Sequence, residues 1–339
     1  MRALVIDGPG RVGLGACPDP SPGAGDVVVR VRTVGFCGSD LNTFRGLNPL
    51  VSYPRVPGHE IAGVVEAVGT EVHVPLGAGA EVTVVPYTAC GACPACRRGR
   101  VNTCRHNQTL GVQRDGALTE MIAVPWRSVL RADGLSRREL ALVEPLAVGF
   151  HAVARGRVAE GDVVAVIGTG AVGLGAVAGA ASAGAVVIAV DVDDRKLATA
   201  RRAGATHAVN ARGGTLHDAL LELTGGDGPD VVIEAVGLSE TFVAAVAEVA
   251  VAGRVVYIGY AKAPVSFDTT QFVRKELDIL GARNATAADF RAVVDLLLGK
   301  RFPVADAVTR VVSLDEAAGA LRAWDADPAA VTRIHVDLD

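Results

Sequence analysis

Four of the six cysteines crowd together, and Cys90, Cys93, Cys96 and Cys104 are spaced C-x2-C-x2-C-x7-C. Four thiolates at that spacing can wrap one ion within a single loop and leave no open position, the donor set of a structural zinc. An iron–sulfur cluster is the rival, but nothing around these cysteines supplies an electron-transfer rationale. They stand too close together to brace a large fold as disulfides. A second constellation is scattered: Cys37 in Phe36-Cys37-Gly38-Ser39-Asp40, His59 and Glu60 in Gly58-His59-Glu60, and Glu144 before Pro145. Singly, each has an ordinary explanation, since a lone cysteine is usually a small buried hydrophobe and a Glu-Pro pair commonly ends a segment. Together they offer one thiolate, one imidazole and up to two carboxylates, which suits a zinc that keeps a position free for water or substrate. Cys17, between Ala16 and Pro18, has no such company and reads as an incidental thiol.

A third feature is the run Val163-Val164-Ala165-Val166-Ile167-Gly168-Thr169-Gly170-Ala171-Val172-Gly173, a GxGxxG where a strand hands over to a helix. The first glycine makes the tight turn, the second lets backbone approach a pyrophosphate, and the third packs helix on strand. The helix N-terminus then faces the phosphates with free N–H groups. Eighteen residues after Gly173 stands Asp191, placed to accept hydrogen bonds from the adenosine ribose and to repel a 2′-phosphate, which favours NAD over NADP. Arg195 and Lys196 lie just beyond and partly offset that repulsion, or else belong to a solvated helix face. Ala235 and Val236, after the fourth expected strand, and Ile258 and Gly259, at the end of the fifth, complete the cofactor-binding set.

Elements must hold these groups. At 339 residues and 50% hydrophobic content the chain supports two domains with substantial cores. The first hundred or so residues carry short alternating apolar runs, Val27–Val31, Ile61–Val68 and Glu81–Val85, as in an all-β region. From about Glu144 apolar strands alternate with Ala-rich helical stretches, the pattern of a parallel doubly wound sheet. Strands are expected near 163–167, 186–190, 207–209, 230–234, 254–258 and 277–280. Helices are expected near 171–183, 194–203, 214–223, 239–251 and 268–275, then 286–299 before a closing strand at 331–337. The uncharged stretch between Asp162 and Asp191 has the length of a membrane span, but its glycines divide it into strand, turn, helix and strand. With net charge −4, charges interspersed, and only Arg97, Arg98 and Arg100 as a small basic patch, neither nucleic acid nor a membrane is an expected partner. The N-terminus has no secretory pattern, and a cytoplasmic protein is expected.

In order and spacing, Cys37-Gly38-Ser39-Asp40, Gly58-His59-Glu60, the four-cysteine lobe, Glu144-Pro145 and Gly168 to Gly173 resemble the zinc-containing medium-chain dehydrogenase family. The match spans essentially the whole chain. Glu144-Pro145 is similar to the polyol and threonine dehydrogenase side rather than the ethanol-type enzymes, which place a cysteine there. Tyr53 to Glu60, and Lys275-Glu276 with Gly281 to Ala285, resemble a bacterial branch containing L-galactonate and related sugar-acid dehydrogenases.

The resemblance implies a GroES-like β-barrel catalytic domain (1–146, completed by 284–339), an NAD-binding Rossmann domain with a six-stranded parallel sheet (147–283), and an active site in the cleft between them. It implies a catalytic zinc on Cys37, His59 and Glu144, with Glu60 a direct or an exchanging ligand, and a structural zinc on the four clustered cysteines. Ser39 takes the first step of the proton's exit. The family often has a histidine five residues after the zinc cysteine as outlet, whereas this chain has Asn42, which cannot titrate, so Ser39 and a cofactor ribose hydroxyl are expected to pass the proton to bulk water or another base. Arg283 and Asn284 line the nicotinamide pocket or a subunit interface, or Arg283 holds a substrate carboxylate, and Gln113 is a candidate to face the cleft. The expected substrate is a polyol or sugar acid such as L-galactonate. L-threonine or a simple secondary alcohol is the alternative within this chemistry, and a non-catalytic NAD-sensing protein the alternative outside it. A homodimer or homotetramer is expected.

Overall fold

The structure, a computed structural model, describes residues 1–328 and 331–338. Ala329, Ala330 and Asp339, all within the expected C-terminal segment 284–339, lie outside the described residues. The chain divides into two compact units, one of Met1–Glu144, Leu297–Gly299 and Val304–Asp339, the other of Pro145–Leu296 and Lys300–Pro303. The expected boundaries at 146/147 and 283/284 correspond in this division to 144/145 and to a stretch between 296 and 304.

The second unit holds the parallel sheet. Its order is His207–Asn210, Val186–Asp191, Val163–Ile167, Val231–Glu234, Arg254–Tyr257 and Asp278–Gly281, six strands as expected. Sequence order reverses beside Val163–Ile167, where the next strand out is Val231–Glu234, and such switch points are where open α/β sheets bind ligands. The uncharged stretch before Asp191 forms the strand Val163–Ile167, the helix Ala171–Ser182 and the strand Val186–Asp191. Among the described residues no helix is long and apolar enough to cross a membrane. Ala165, Ile167, Ile188, Val190, Val232 and Val255 pack the sheet onto Leu220, Val246 and Val249. The helix expected over 239–251 stops at Glu248, because Lys275 Nζ donates to the carbonyls of Val246, Ala247 and Val249 and ends the ladder there.

In the first unit the strand Asp26–Gly35 pairs antiparallel with Glu60–Val68, with Met121–Pro125 and with Ile334–Asp337. The sheet path runs Arg310–Ser313, Ile334–Asp337, Asp26–Gly35, Glu60–Val68, Glu81–Val84 and Val129–Arg131. The closing strand expected at 331–337 therefore begins at Ile334. A β-hairpin, Arg2–Gly8 with Arg11–Ala16, shares the core of Leu4, Ile6, Val29, Val31, Ile61, Val82 and Ile334.

Glu144-Pro145 does not end a segment. Both residues lie inside the helix Arg137–Arg155. Proline removes one i→i−4 bond, yet Leu140, Ala141, Leu142, Val143, Leu146 and Ala147 are all buried, and that packing outweighs the local defect. The strand Arg310–Ser313 and the helix Leu314–Ala326 also lie beyond the expected elements. The helix starts on a capping box in which Glu316 accepts from Ser313 N, 2.9 Å.

Candidate active site

Cys37 is the N-cap of the helix Gly38–Phe44. Three residues on, Asp40 fixes it, with Oδ2 accepting from Cys37 N at 2.9 Å and Oδ1 from Gly58 N at 3.3 Å. One buried carboxylate thus ties together the two segments that carry Cys37 and His59. Burial pushes the Asp40 carboxyl up, against the charge of His59 and those two N–H groups. His59 precedes the strand Glu60–Val68 and is buried, with Nδ1 lacking any hydrogen-bond partner. Burial disfavours its charge, but Cys37, Asp40 and Glu144 outweigh that and hold His59 well above the ordinary histidine range.

Glu60 opens the same strand and is fully buried. Both its oxygens accept from Arg333 Nη1, which also donates to Phe36 O at 3.1 Å. Arg333 is itself buried, and Glu60 and Cys37 outweigh that desolvation and raise its pKa. Glu144, from the helix Arg137–Arg155, accepts from the Tyr87 hydroxyl. Burial first and Glu144 second hold Tyr87 well above its usual pKa.

The ligand atoms of Cys37, His59 and Glu60 lie within 4.8 Å of one another, and Glu144 stands outside that set. A thiolate, an imidazole with an orphaned nitrogen and a carboxylate fit a zinc ion with a fourth position free. Ser39 Oγ, two residues from Cys37, is buried without a partner.

The four clustered cysteines also converge within 4.8 Å, on the loop around the short helix Pro94–Arg97. Cys93 Sγ is 3.5 Å from Cys96 Sγ and 3.9 Å from Cys104 Sγ. A tetrahedral ZnS4 centre with Zn–S near 2.3 Å needs S···S separations of about 3.8 Å, so the cage fits zinc as it stands. Backbone N–H groups of Cys90 and His106 point at Cys104 Sγ, both at 3.3 Å. Those of Arg105 and Cys96 hold the Cys93 thiol down, to about 6.

In the second unit, Gly168 takes φ +91° and donates to Val190 O at 2.8 Å, turning the chain from strand to helix. A Cβ on Gly173 would overlap the Gly168 carbonyl oxygen. Gly170 is the N-cap of Ala171–Ser182, with Val172 in its first turn. Asp191 Oδ2 accepts from Thr169 N and Oγ1 at 2.8 and 2.9 Å, and Oδ1 from Val192 N and Asp193 N at 2.7 and 3.1 Å. The acid expected at the ribose therefore also holds the glycine-rich turn. Arg195 is paired with Asp193 at 2.9 Å. Val236 and Gly237 donate to Glu234 Oε1 at 2.9 and 2.7 Å, which fixes the loop holding Ala235 and Val236. Val236 also packs against Gly168, and Gly259 lies beside Gly237. Arg283 is exposed, and Asn284 takes φ +55°.

Sequence reasoning did not single out Asp40, Tyr87, Arg333 or Glu234. Asp40 had a local signal, an acid three residues after an N-cap. Tyr87 and Arg333 had none, because they meet their carboxylates across 57 and 273 positions.

Residues 23–134 match the alcohol dehydrogenase GroES-like domain and residues 171–299 the zinc-binding dehydrogenase domain. L-galactonate-5-dehydrogenase of Escherichia coli (strain K12) is 35% identical over 315 residues, 90% of this chain and 92% of that one. The chain belongs to the zinc-binding dehydrogenase family. Sorbitol dehydrogenase of Halalkalibacterium halodurans is 31% identical over 323 residues, covering 93% of this chain and 94% of its own length. Among solved structures, the alcohol dehydrogenase rspB of E. coli CFT073 with NADH superposes with TM-score 0.92 at 29% identity, covering 100% of this chain and 99% of that one. The dehydrogenase therefore stands on the medium-chain branch whose relatives are named for polyols and sugar acids, with a GroES-like and a Rossmann domain.

Proposed function

We propose that this dehydrogenase oxidises a secondary hydroxyl of a polyol or sugar acid with NAD and a catalytic zinc, and that the clustered cysteines hold a second, structural zinc. The observation that carries the reading is the convergence of Cys37, His59 and Glu60 on one point with Ser39 beside Cys37. When bound, zinc supplies a Lewis acid that favours loss of the hydroxyl proton, and NAD supplies the hydride acceptor.

Cys37 and His59 are the fixed ligands, with Glu60 and Glu144 as alternative third ligands. Arg333 holds Glu60 at the donor set, and Tyr87 donates to Oε1 of Glu144. Ser39 Oγ would relay the substrate proton outward and, with Asn42 unable to titrate, the proton would pass on to bulk water or another base. Gly168, Thr169, Gly170, Ala171, Val172 and Gly173 hold the pyrophosphate, with Ala235, Val236, Ile258, Gly259 and Asn284 around the rest of the cofactor and Arg283 and Lys196 at its edge. Asp191 disfavours a 2′-phosphate, and Arg195, just beyond it in sequence, is paired with Asp193. The catalytic domain takes in residues from both chain ends, and the molecule works as a cytoplasmic homodimer or homotetramer.

The test is NADH formation at 340 nm across polyols, aldonates, L-threonine and simple alcohols. Turnover of polyols or aldonates is expected. Silence from zinc-loaded protein that binds NAD would overturn the reading.

A further inference from the structure

The dehydrogenase reading places a hydroxyl at the Cys37–His59 centre and assigns nothing to the far end of the substrate. Arg114 lies in the turn 109–116, closed by Gly111 N to Arg114 O at 2.8 Å and Thr109 N to Gln113 Oε1 at 2.8 Å. That turn is seated on the backbone just before His59. A Cβ at Gly111 would come 2.6 Å from Gly58 N, and one at Gly116 would overlap the Pro57 and Gly58 carbonyls. Gly116 N donates to Val56 O at 2.7 Å and Ala117 N to Gly58 O at 2.9 Å. Arg114 is thus two Cα steps of about 3.8 Å from a residue touching Gly58, and one more step reaches His59.

The guanidinium of Arg114 is half-buried. Its Nε is buried without a partner, and no described residue accepts a hydrogen bond from it or forms an ion pair with it. Asp115, the adjacent acid, is already committed, its Oδ1 accepting from Arg55 Nη1 at 2.9 Å and Val56 N at 3.1 Å. Burial, with nothing to offset it, lowers the pKa of Arg114. A partly desolvated cation without a counter-charge is costly unless something supplies one, and the planar fork of arginine matches a carboxylate bidentately.

We propose that Arg114 holds the carboxylate of a sugar acid whose secondary hydroxyl is oxidised at the Cys37–His59 centre, making an aldonate rather than a neutral polyol the preferred substrate. The proposal rests on the dehydrogenase reading. The carboxylate is unchanged in the reaction: the carbinol C–H leaves as hydride to NAD⁺, the O–H proton goes to solvent, and the products are a keto acid, NADH and one proton.

Steady-state kinetics with matched pairs, L-galactonate against galactitol and D-gluconate against sorbitol, should show the aldonate preferred. Arg114→Met should raise the aldonate KM more than it lowers kcat and shrink the aldonate-to-alditol preference about 10- to 100-fold. Arg114→Lys, which keeps the charge without the fork, should recover part of it. Calorimetric titration of aldonate into the protein–NADH complex gives the same comparison without turnover, and thermal melting confirms that the variants fold. An alditol preference in the wild type, an equal loss on both substrates in Arg114→Met, or a selective loss in Arg283→Met instead would overturn the proposal. Failure of every alcohol to reduce NAD while the aldonate still binds through Arg114 would instead overturn the dehydrogenase reading.

Discussion

Ser39 Oγ is buried and unpartnered two residues from Cys37, and three residues further on Asn42 carries no group that titrates near neutral pH. The kcat profile of the wild type should therefore carry no imidazole titration from this relay. Introducing Asn42→His should add a limb near pH ~6.5, the ordinary histidine value, and an unchanged profile would show that position 42 lies off the proton's path. A different histidine governs acid stability. His335 is fully buried with neither ring nitrogen partnered. Burial, helped by the charges of Arg333 and Arg138 and opposed by Asp337, drives its pKa down to about 3. The unfolded chain takes up this proton near pH 6.5 and the folded one does not, so stability is full above about 6.5 and falls as the pH drops toward 3. The loss amounts to about 1.4 kcal/mol per pH unit within that window. His335→Leu should flatten the fall in Tm between about pH 6.5 and pH 4, and equal slopes in both proteins would remove His335 as the cause. Cys37, His59 and Glu60 were legible in the sequence because donor type and spacing are local. Arg333, which fixes Glu60, was not, because only the pairing of Ile334–Asp337 with Asp26–Gly35 brings it there.

The cysteine lobe is an element with almost no core of its own. Around the helix Pro94–Arg97 only Cys93, Asn102, Cys104 and Asn107 are buried, so four sulfurs do the work that apolar packing does elsewhere. Cys93→Ser or chelation should open the loop to trypsin at Arg97, Arg98, Arg100 and Arg105, detected by mass spectrometry, and unchanged cleavage would mean that the thiolates are not what holds it. The central strands Val163–Ile167, Val186–Asp191 and Val231–Glu234 were readable because they are largely buried and appear as continuous apolar runs, whereas the outer strands His207–Asn210 and Asp278–Gly281 are more exposed and more mixed. The helix Arg137–Arg155 was not readable, because Pro145 is a local stop signal that burial of the flanking leucines and alanines overrides. The early end of the helix Ser239–Glu248 was hidden for a similar reason, since its stop signal is the ammonium of Lys275, a residue remote in sequence.

At the scale of the whole molecule, net charge −4 on 339 residues gives little self-repulsion, so copies of the chain meet without a large electrostatic penalty. The parallel sheet ends on Asp278–Gly281, which among the described residues pairs with Arg254–Tyr257 alone. Ile279 is 41% exposed on that strand, and its one charged residue, Asp278, is taken up by Arg157. An edge strand that pairs on one side only is a template for another strand. If a second copy occupies it, the apparent stability of the enzyme obeys mass action: the midpoint of thermal unfolding should climb with protein concentration, and a charge placed by Ile279→Lys should make the melting curve independent of dilution.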